Sequence, residues 1–167
     1  DVTDVLITGG DPLVMNTRSL AKYVEPLLAP ELAHVQNIRI GTKSVAYWPQ
    51  RFVTDDDADD LLRLFEKIVA AGRNVAVMGH YSHPRELHIP IAEQAVRRIV
   101  SAGATLRIQA PLIRHVNDNP AIGEAVVVDF HRRNKALGIA RDIFRRAMLT
   151  FDQINRDLVI IQPKMVH

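Results

Sequence analysis

Four short runs rich in aliphatic and β-branched residues recur along the chain: DVLITGG, NIRIGTKSV, NVAVMGH and TLRIQAPLI. Their centres, near Val5, Ile38, Val75 and Leu106, lie roughly 31 to 37 residues apart. No other feature limits the fold as strongly. The spacing leaves room for one helix between successive strands, and parallel strands need such crossovers. The intervening stretches carry helical patterns. One starts near Thr17, a candidate cap, and places Leu20, Val24, Leu27 and Leu28 on one face, with Pro26 limiting it. A second has Thr54 as a candidate cap and the acid run DDDADD at its positive end, and Leu61, Leu64, Phe65, Ile68 and Val69 follow at helical spacing up to Gly72. The acid run thus reads as a helix start rather than a calcium loop. A third opens at Pro90, carries Ile91, Ala95, Val96, Ile99 and Val100, and stops at Gly103.

The expected class is α/β, either an open doubly wound sheet or part of a barrel. In both, ligands sit at the carboxyl ends of the strands. At 167 residues the chain is one domain or part of one. Apolar content of 47% is enough for a real core, yet no apolar run approaches the ~20 residues of a membrane span. The opening DVTD has acids where a signal peptide would carry bases, and no initiator Met, as expected of a trimmed or partial chain. A net charge of +2 with only 5% aromatics argues against a nucleic-acid partner. There are no cysteines, which fits a cytoplasmic location and leaves no thiolate for zinc or iron–sulfur ligation.

The residues just after each strand therefore carry the functional question. Gly9-Gly10-Asp11-Pro12 follows the first strand; glycines let a ligand approach the backbone, whose N–H and C=O groups can meet a carboxylate or an ammonium. A plain βα turn explains the same residues. Arg39, Thr42, Lys43, Ser44 and Arg51 come with the second strand and could hold a carboxylate or phosphate, or be solvated surface charges. His80 and His83 follow the third; Pro84 breaks the helix that a zinc pair would want, so His80 reads as a hydrogen-bonding or structural imidazole. Gln109 ends the fourth and, if interior, needs a partner. Asn117-Asp118 reads as a turn or cap.

Taken in order, VLITGGDPL, IRIGTKS, PQR, HYSHPREL and QAPLIRHVND resemble the lysine 2,3-aminomutase branch of the radical S-adenosylmethionine (SAM) enzymes, over roughly Asp1 to Pro120. The resemblance implies a partial (β/α) barrel of parallel strands with crossover helices, here about four clear βα units plus a divergent C-terminal segment. Residues 1–120 would be the barrel portion. Residues 121–167 would be a helical segment on the same domain, with DLVIIQP as a candidate last strand. It further implies a [4Fe–4S] cluster on a CxxxCxxC loop, SAM bound to its open iron, a 5′-deoxyadenosyl radical, and pyridoxal phosphate (PLP) carrying a migrating amino group. By that resemblance Gly9, Gly10 and Asp11 meet the SAM amino group, His80 and Gln109 lie close to SAM, and Arg39, Thr42 and Lys43 help hold its carboxylate end.

The cluster cysteines are missing, and neither Lys135 nor Lys164 has surroundings that match a PLP lysine. The expectation is a fragment of such an isomerase, acting in the full enzyme on a small amino acid or aminoacyl substrate and inactive as written. No catalytic residue and no metal ligand are assigned. The alternatives are a non-catalytic βα binding or scaffold module and, less favoured, a metal-dependent hydrolase using His80, His83 and Asp11. Without a preceding unit the first strand would be a free edge, which invites self-association.

Overall fold

The computed structural model describes residues 2–111, 113–117 and 122. The candidate strand DLVIIQP and, apart from residue 122, the rest of the C-terminal segment lie outside them. Four strands, β1 (Asp4–Ile7), β2 (Asn37–Thr42), β3 (Asn74–His80) and β4 (Thr105–Gln109), form one parallel sheet in the order β1-β2-β3-β4. Between them run α1 (Thr17–Val24), α2 (Ser44–Tyr47), α3 (Ala58–Ala70) and α4 (Pro90–Ser101). The α/β arrangement is as expected. The strand order is sequential and never reverses, so the described sheet has no switch point of the doubly wound kind.

The register explains which residues are buried. Val5, Ile38 and Val75 stand in one row, and Ile7, Ile40, Val77 and Leu106 in another. Ile38, Ile40, Val75 and Val77 are fully buried, and so are Leu61, Phe65 and Ile68 of α3 and Ile99 of α4. Each such side chain contributes about 1.5–3 kcal/mol, so the helix-packed face of the sheet holds the core. Side chains alternate along a strand, so Asp4, Leu6, Asn37, Arg39, Asn74, Ala76, Met78, His80, Thr105, Arg107 and Gln109 share the opposite face. All but Ala76 are half-buried or exposed.

At the amino end of that face a side-chain ladder crosses all four strands. The Thr105 hydroxyl donates to Asn74 Oδ1 (3.3 Å), Asn74 Nδ2 to Asn37 Oδ1 (3.0 Å), and Asn37 Nδ2 to Asp4 Oδ2 (3.2 Å). Arg39 also donates to the Asp4 carboxylate.

Two helix starts differ from expectation. Asn16, not Thr17, caps α1: its side chain accepts from Ser19 N at 2.8 Å, which frees Thr17 for a distant contact. Helix α3 begins at Ala58 behind Asp57 rather than at Thr54. The Asp57 carboxylate makes no cap bond there, because Arg51 and the Thr17 amide take it (2.7 and 2.6 Å). Asp59 and Asp60 do lie in the first turn, where the helix dipole favours them. Helix α4 opens at Pro90, and Gly103 follows its end with φ +80°, both as the sequence predicts.

Candidate functional site at the carboxyl rim of the sheet

Ile7 ends β1, and the chain then turns through Gly9 (φ +100°) and Gly10 (φ +68°). Both angles lie where an L side chain is strained. A Cβ placed on either glycine would meet no atom within 4 Å, so the turn borders open space.

Asp11 turns the other way, into the protein. Its Oδ1 accepts from the Leu13 amide (3.0 Å) and the Thr42 hydroxyl (2.7 Å). Its Oδ2 accepts from the amides of Lys43 (2.8 Å) and Ser44 (3.0 Å) and from the Ser44 hydroxyl (3.1 Å), with the Tyr47 hydroxyl at 3.4 Å. Burial works against the charge, but the Thr42 hydroxyl and the Lys43 and Leu13 amides outweigh it and hold the carboxyl below its usual range. The carboxylate thus fastens the glycine turn to the end of β2.

Lys43 carries the connection onward. Its ammonium donates to Ser82 Oγ (3.0 Å) and Glu86 Oε1 (3.2 Å) in the loop after β3. Glu86 Oε2 in turn accepts from the Ser82 and His83 amides (2.6 and 3.2 Å). His80 ends β3 opposite Gln109, the last residue of β4, and the Tyr81 amide donates to the Gln109 carbonyl at 3.0 Å. Burial lowers the affinity of His80 for a proton, the Lys43 ammonium lowers it further, and Glu86 opposes both; the net shift is downward. Behind this rim Tyr81 is fully buried, and among the described residues its hydroxyl has no hydrogen-bond partner.

Gly9, Gly10, Asp11, Thr42, Lys43, His80 and Gln109 therefore all lie at the carboxyl end of the sheet, spread across its four strands. Arg39 does not join them. It lies three residues before Thr42, about 10 Å lower along the strand, and is paired with Asp4. Gln109 is exposed at the rim rather than interior, because β4 ends with it at the edge of the described sheet. His83 Nδ1 accepts from the Arg85 amide (3.2 Å), and among the described residues no group of three or more His, Asp or Glu side chains could hold a metal ion. Asn117 is a turn residue as expected: its side chain accepts from the Ile113 amide (2.6 Å) and donates to the Pro111 carbonyl (2.7 Å).

Sequence reasoning missed Ser82 and Glu86 as the partners of Lys43. It also left Arg51 open between a surface charge and an anion ligand. Arg51 is 1% exposed. Its guanidinium donates to the Leu13 carbonyl (2.9 Å), the Met15 carbonyl (3.2 Å), the Thr17 hydroxyl (3.0 Å) and both Asp57 oxygens (2.7 and 3.2 Å). Burial is tolerated because every part of the fork has an acceptor.

No helix among the described residues is long and apolar enough to cross a membrane. No family model matches the chain. Curated proteins do. A protein of Aquifex aeolicus named "Putative L-lysine 2,3-aminomutase" is 38% identical over 120 residues, 71% of this chain and 30% of its own length. The L-lysine 2,3-aminomutase of Fusobacterium nucleatum is 31% identical over 128 residues, 77% of this chain and 27% of its own length. The glutamate 2,3-aminomutase of Clostridioides difficile is 30% identical over 121 residues, 71% of this chain and 25% of its own length. The chain spans between a quarter and a third of the length of these relatives, and over most of its own length it is similar to proteins named as 2,3-aminomutases.

Proposed function

We propose that this chain is the SAM-facing wall of a radical SAM aminomutase-like enzyme whose substrate is a small amino acid or aminoacyl compound. The observation that carries the reading is the open, positive-φ Gly9–Gly10 turn at the carboxyl rim, in a stretch similar to 2,3-aminomutases. The sequential parallel sheet supports its being one segment of a partial barrel.

The residues present fit SAM and do not fit the iron–sulfur cluster. Open space over Gly9 and Gly10 leaves room for an aminoacyl group against bare backbone, whose carbonyls can accept from an ammonium. With no cysteine, these residues cannot ligate the cluster, so on its own this stretch has no radical activity. At the described rim the one lysine, Lys43, is engaged by Ser82 and Glu86 and is not a ready PLP anchor. SAM, when bound in a complete enzyme, supplies the hydrogen-abstracting radical. The task of these residues is to bind and orient. The glycine turn holds the amino end, and Asp11 keeps the turn in place without touching the ligand. Lys43 can add one donor toward a carboxylate, since Ser82 and Glu86 use two of its three protons. His80 and Gln109 supply polar groups on the adjacent strands β3 and β4, and burial together with the Lys43 ammonium lowers the proton affinity of His80.

Amide NMR spectra titrated with SAM to millimolar concentration test this. Cross-peaks of Gly9, Gly10, Lys43 and His80 should move together and saturate, and Gly10→Val should abolish the movement. Shifts spread over the surface, or none, would refute it. A second reading, a βα binding module without catalysis, is favoured by the absence of cysteine alone. A CxxxCxxC loop encoded in frame upstream of Asp1 would decide against it.

A further inference from the structure

We propose that Arg51 is a positioning residue for the Gly9–Gly10 turn, holding the cradle in shape from within the protein. The inference rests on reading that turn as a ligand cradle, and it assigns the device that keeps it ready.

The turn cannot set its own shape. Glycine is the least restricted residue, and the outer side of both α-carbons meets nothing within 4 Å. Its course must come from its flanks. Upstream, β1 is fixed by pairing with β2. Downstream, two devices act on successive parts of the chain. Asp11 is tied to Thr42, Lys43 and Ser44. Arg51 then grips the main chain itself, through the carbonyls of Leu13 and Met15, and adds the Thr17 hydroxyl. Leu13 is fully buried against the core, so the segment is held on both its backbone and its side chain.

Both devices come from the end of β2 and the first part of the connection that follows it: Thr42–Ser44 where the strand ends, and Arg51 just beyond α2. Asp57 completes the second by accepting from Arg51 and from the Thr17 amide. Arg51 is too buried to touch a ligand over the glycines, so any effect it has on binding passes through the backbone of residues 13–17. Lysine could not replace it. An ammonium is a single point of charge, whereas two carbonyls, a hydroxyl and a carboxylate must be met by one rigid fork.

The test compares Arg51→Lys, Asp57→Asn and Thr17→Val with the unaltered chain by amide NMR and by SAM titration. A purely structural role would lower the melting temperature while leaving the glycine cross-peaks of the folded protein in place. A positioning role moves the Gly9 and Gly10 cross-peaks while the amides of β3 and β4 stay unchanged. In Arg51→Lys the SAM dissociation constant should rise about tenfold, the order expected when hydrogen-bonding backbone is displaced. Thr17→Val, which removes one bond of the set, should shift the same peaks less. If Arg51→Lys does not fold, the glycine peaks in Asp57→Asn and Thr17→Val decide. Glycine peaks that stay in place in the folded variants would overturn the proposal. Failure of the unaltered chain to bind SAM would instead overturn the functional reading, and the glycine peaks would still judge the role of Arg51.

Discussion

Replacing Asp11 by asparagine gives a measurable test of the rim. The carboxylate accepts from two directions: Leu13 N and the Thr42 hydroxyl on Oδ1, and the Lys43 and Ser44 amides on Oδ2. An amide side chain can serve only one of these sets with its oxygen. The better choice points the oxygen at Lys43 and Ser44 and the NH2 at Leu13 and Thr42. Thr42 can then rotate its hydroxyl to accept, but the Leu13 N–H faces another donor. An orphaned amide, with the remaining bonds weakened from charged to neutral, costs about 2 kcal/mol. In a chain of this size that corresponds to a melting temperature lower by about 4–8 °C.

The pH dependence gives a second signature. The folded-state pKa of Asp11 is depressed, so its contribution is present above the unfolded-state value near ~3.9 and is lost as pH falls through the lower folded value. Asp4 and Asp57 are depressed too, but they are common to both proteins and cancel in the difference. Urea unfolding of the unaltered and Asp11→Asn proteins at neutral pH and at stepwise lower pH should show a stability gap that narrows on acidification. A gap that stays constant down to the acid transition, or none at neutral pH, would refute the assignment of Asp11 as the ionised fastening of the turn.

Other outcomes follow from the same geometry. Tyr81→Phe removes a buried hydroxyl that lacks a partner among the described residues, so the variant should be as stable as the parent or up to about 1 kcal/mol more so in urea unfolding. Gly79→Ala would bring a Cβ to 3.1 Å from Leu106 Cδ1 and 3.2 Å from both Tyr81 Cε2 and Val45 Cγ2. It should cost about 1–3 kcal/mol, and equal stability would contradict the packing. His80 should titrate below the usual histidine range by NMR; its protonation is disfavoured in the folded state, so stability falls as pH drops below about 6.5. His80→Gln should flatten that limb of the stability profile.

What the sequence disclosed and what it hid have physical causes. NVAVMGH coincides with β3 because an uninterrupted apolar run between Asn74 and a polar end is a local signal. Pro90 and Gly103 mark α4 for the same reason: each acts on its own backbone. The glycine turn was legible as a place where a ligand could approach, since positive φ is a property of glycine itself. Arg51 was not legible. Its partners at Leu13, Met15 and Thr17 are carbonyls and a hydroxyl more than thirty positions away, and any residue offers a carbonyl. Asp57 was legible only in part: the acid run does mark the start of α3, with Asp57 just before it, but the partners of its carboxylate, Arg51 and the Thr17 amide, leave no local trace. Gln109, which would need a partner if interior, is exposed at the end of the outermost strand among the described residues.

The row of side-chain bonds from Thr105 through Asn74 and Asn37 to Asp4 has a further consequence. Each amide is both giver and taker, so all of them must be oriented the same way, and the sequence of strands is spelled out in one direction that ends on an anion. A slip of β2 or β3 by one position would turn its asparagine toward the apolar, helix-packed side and leave its two neighbours in the row without a match. The row therefore ties the satisfaction of its polar groups to the correct register, at the end of the sheet opposite the rim.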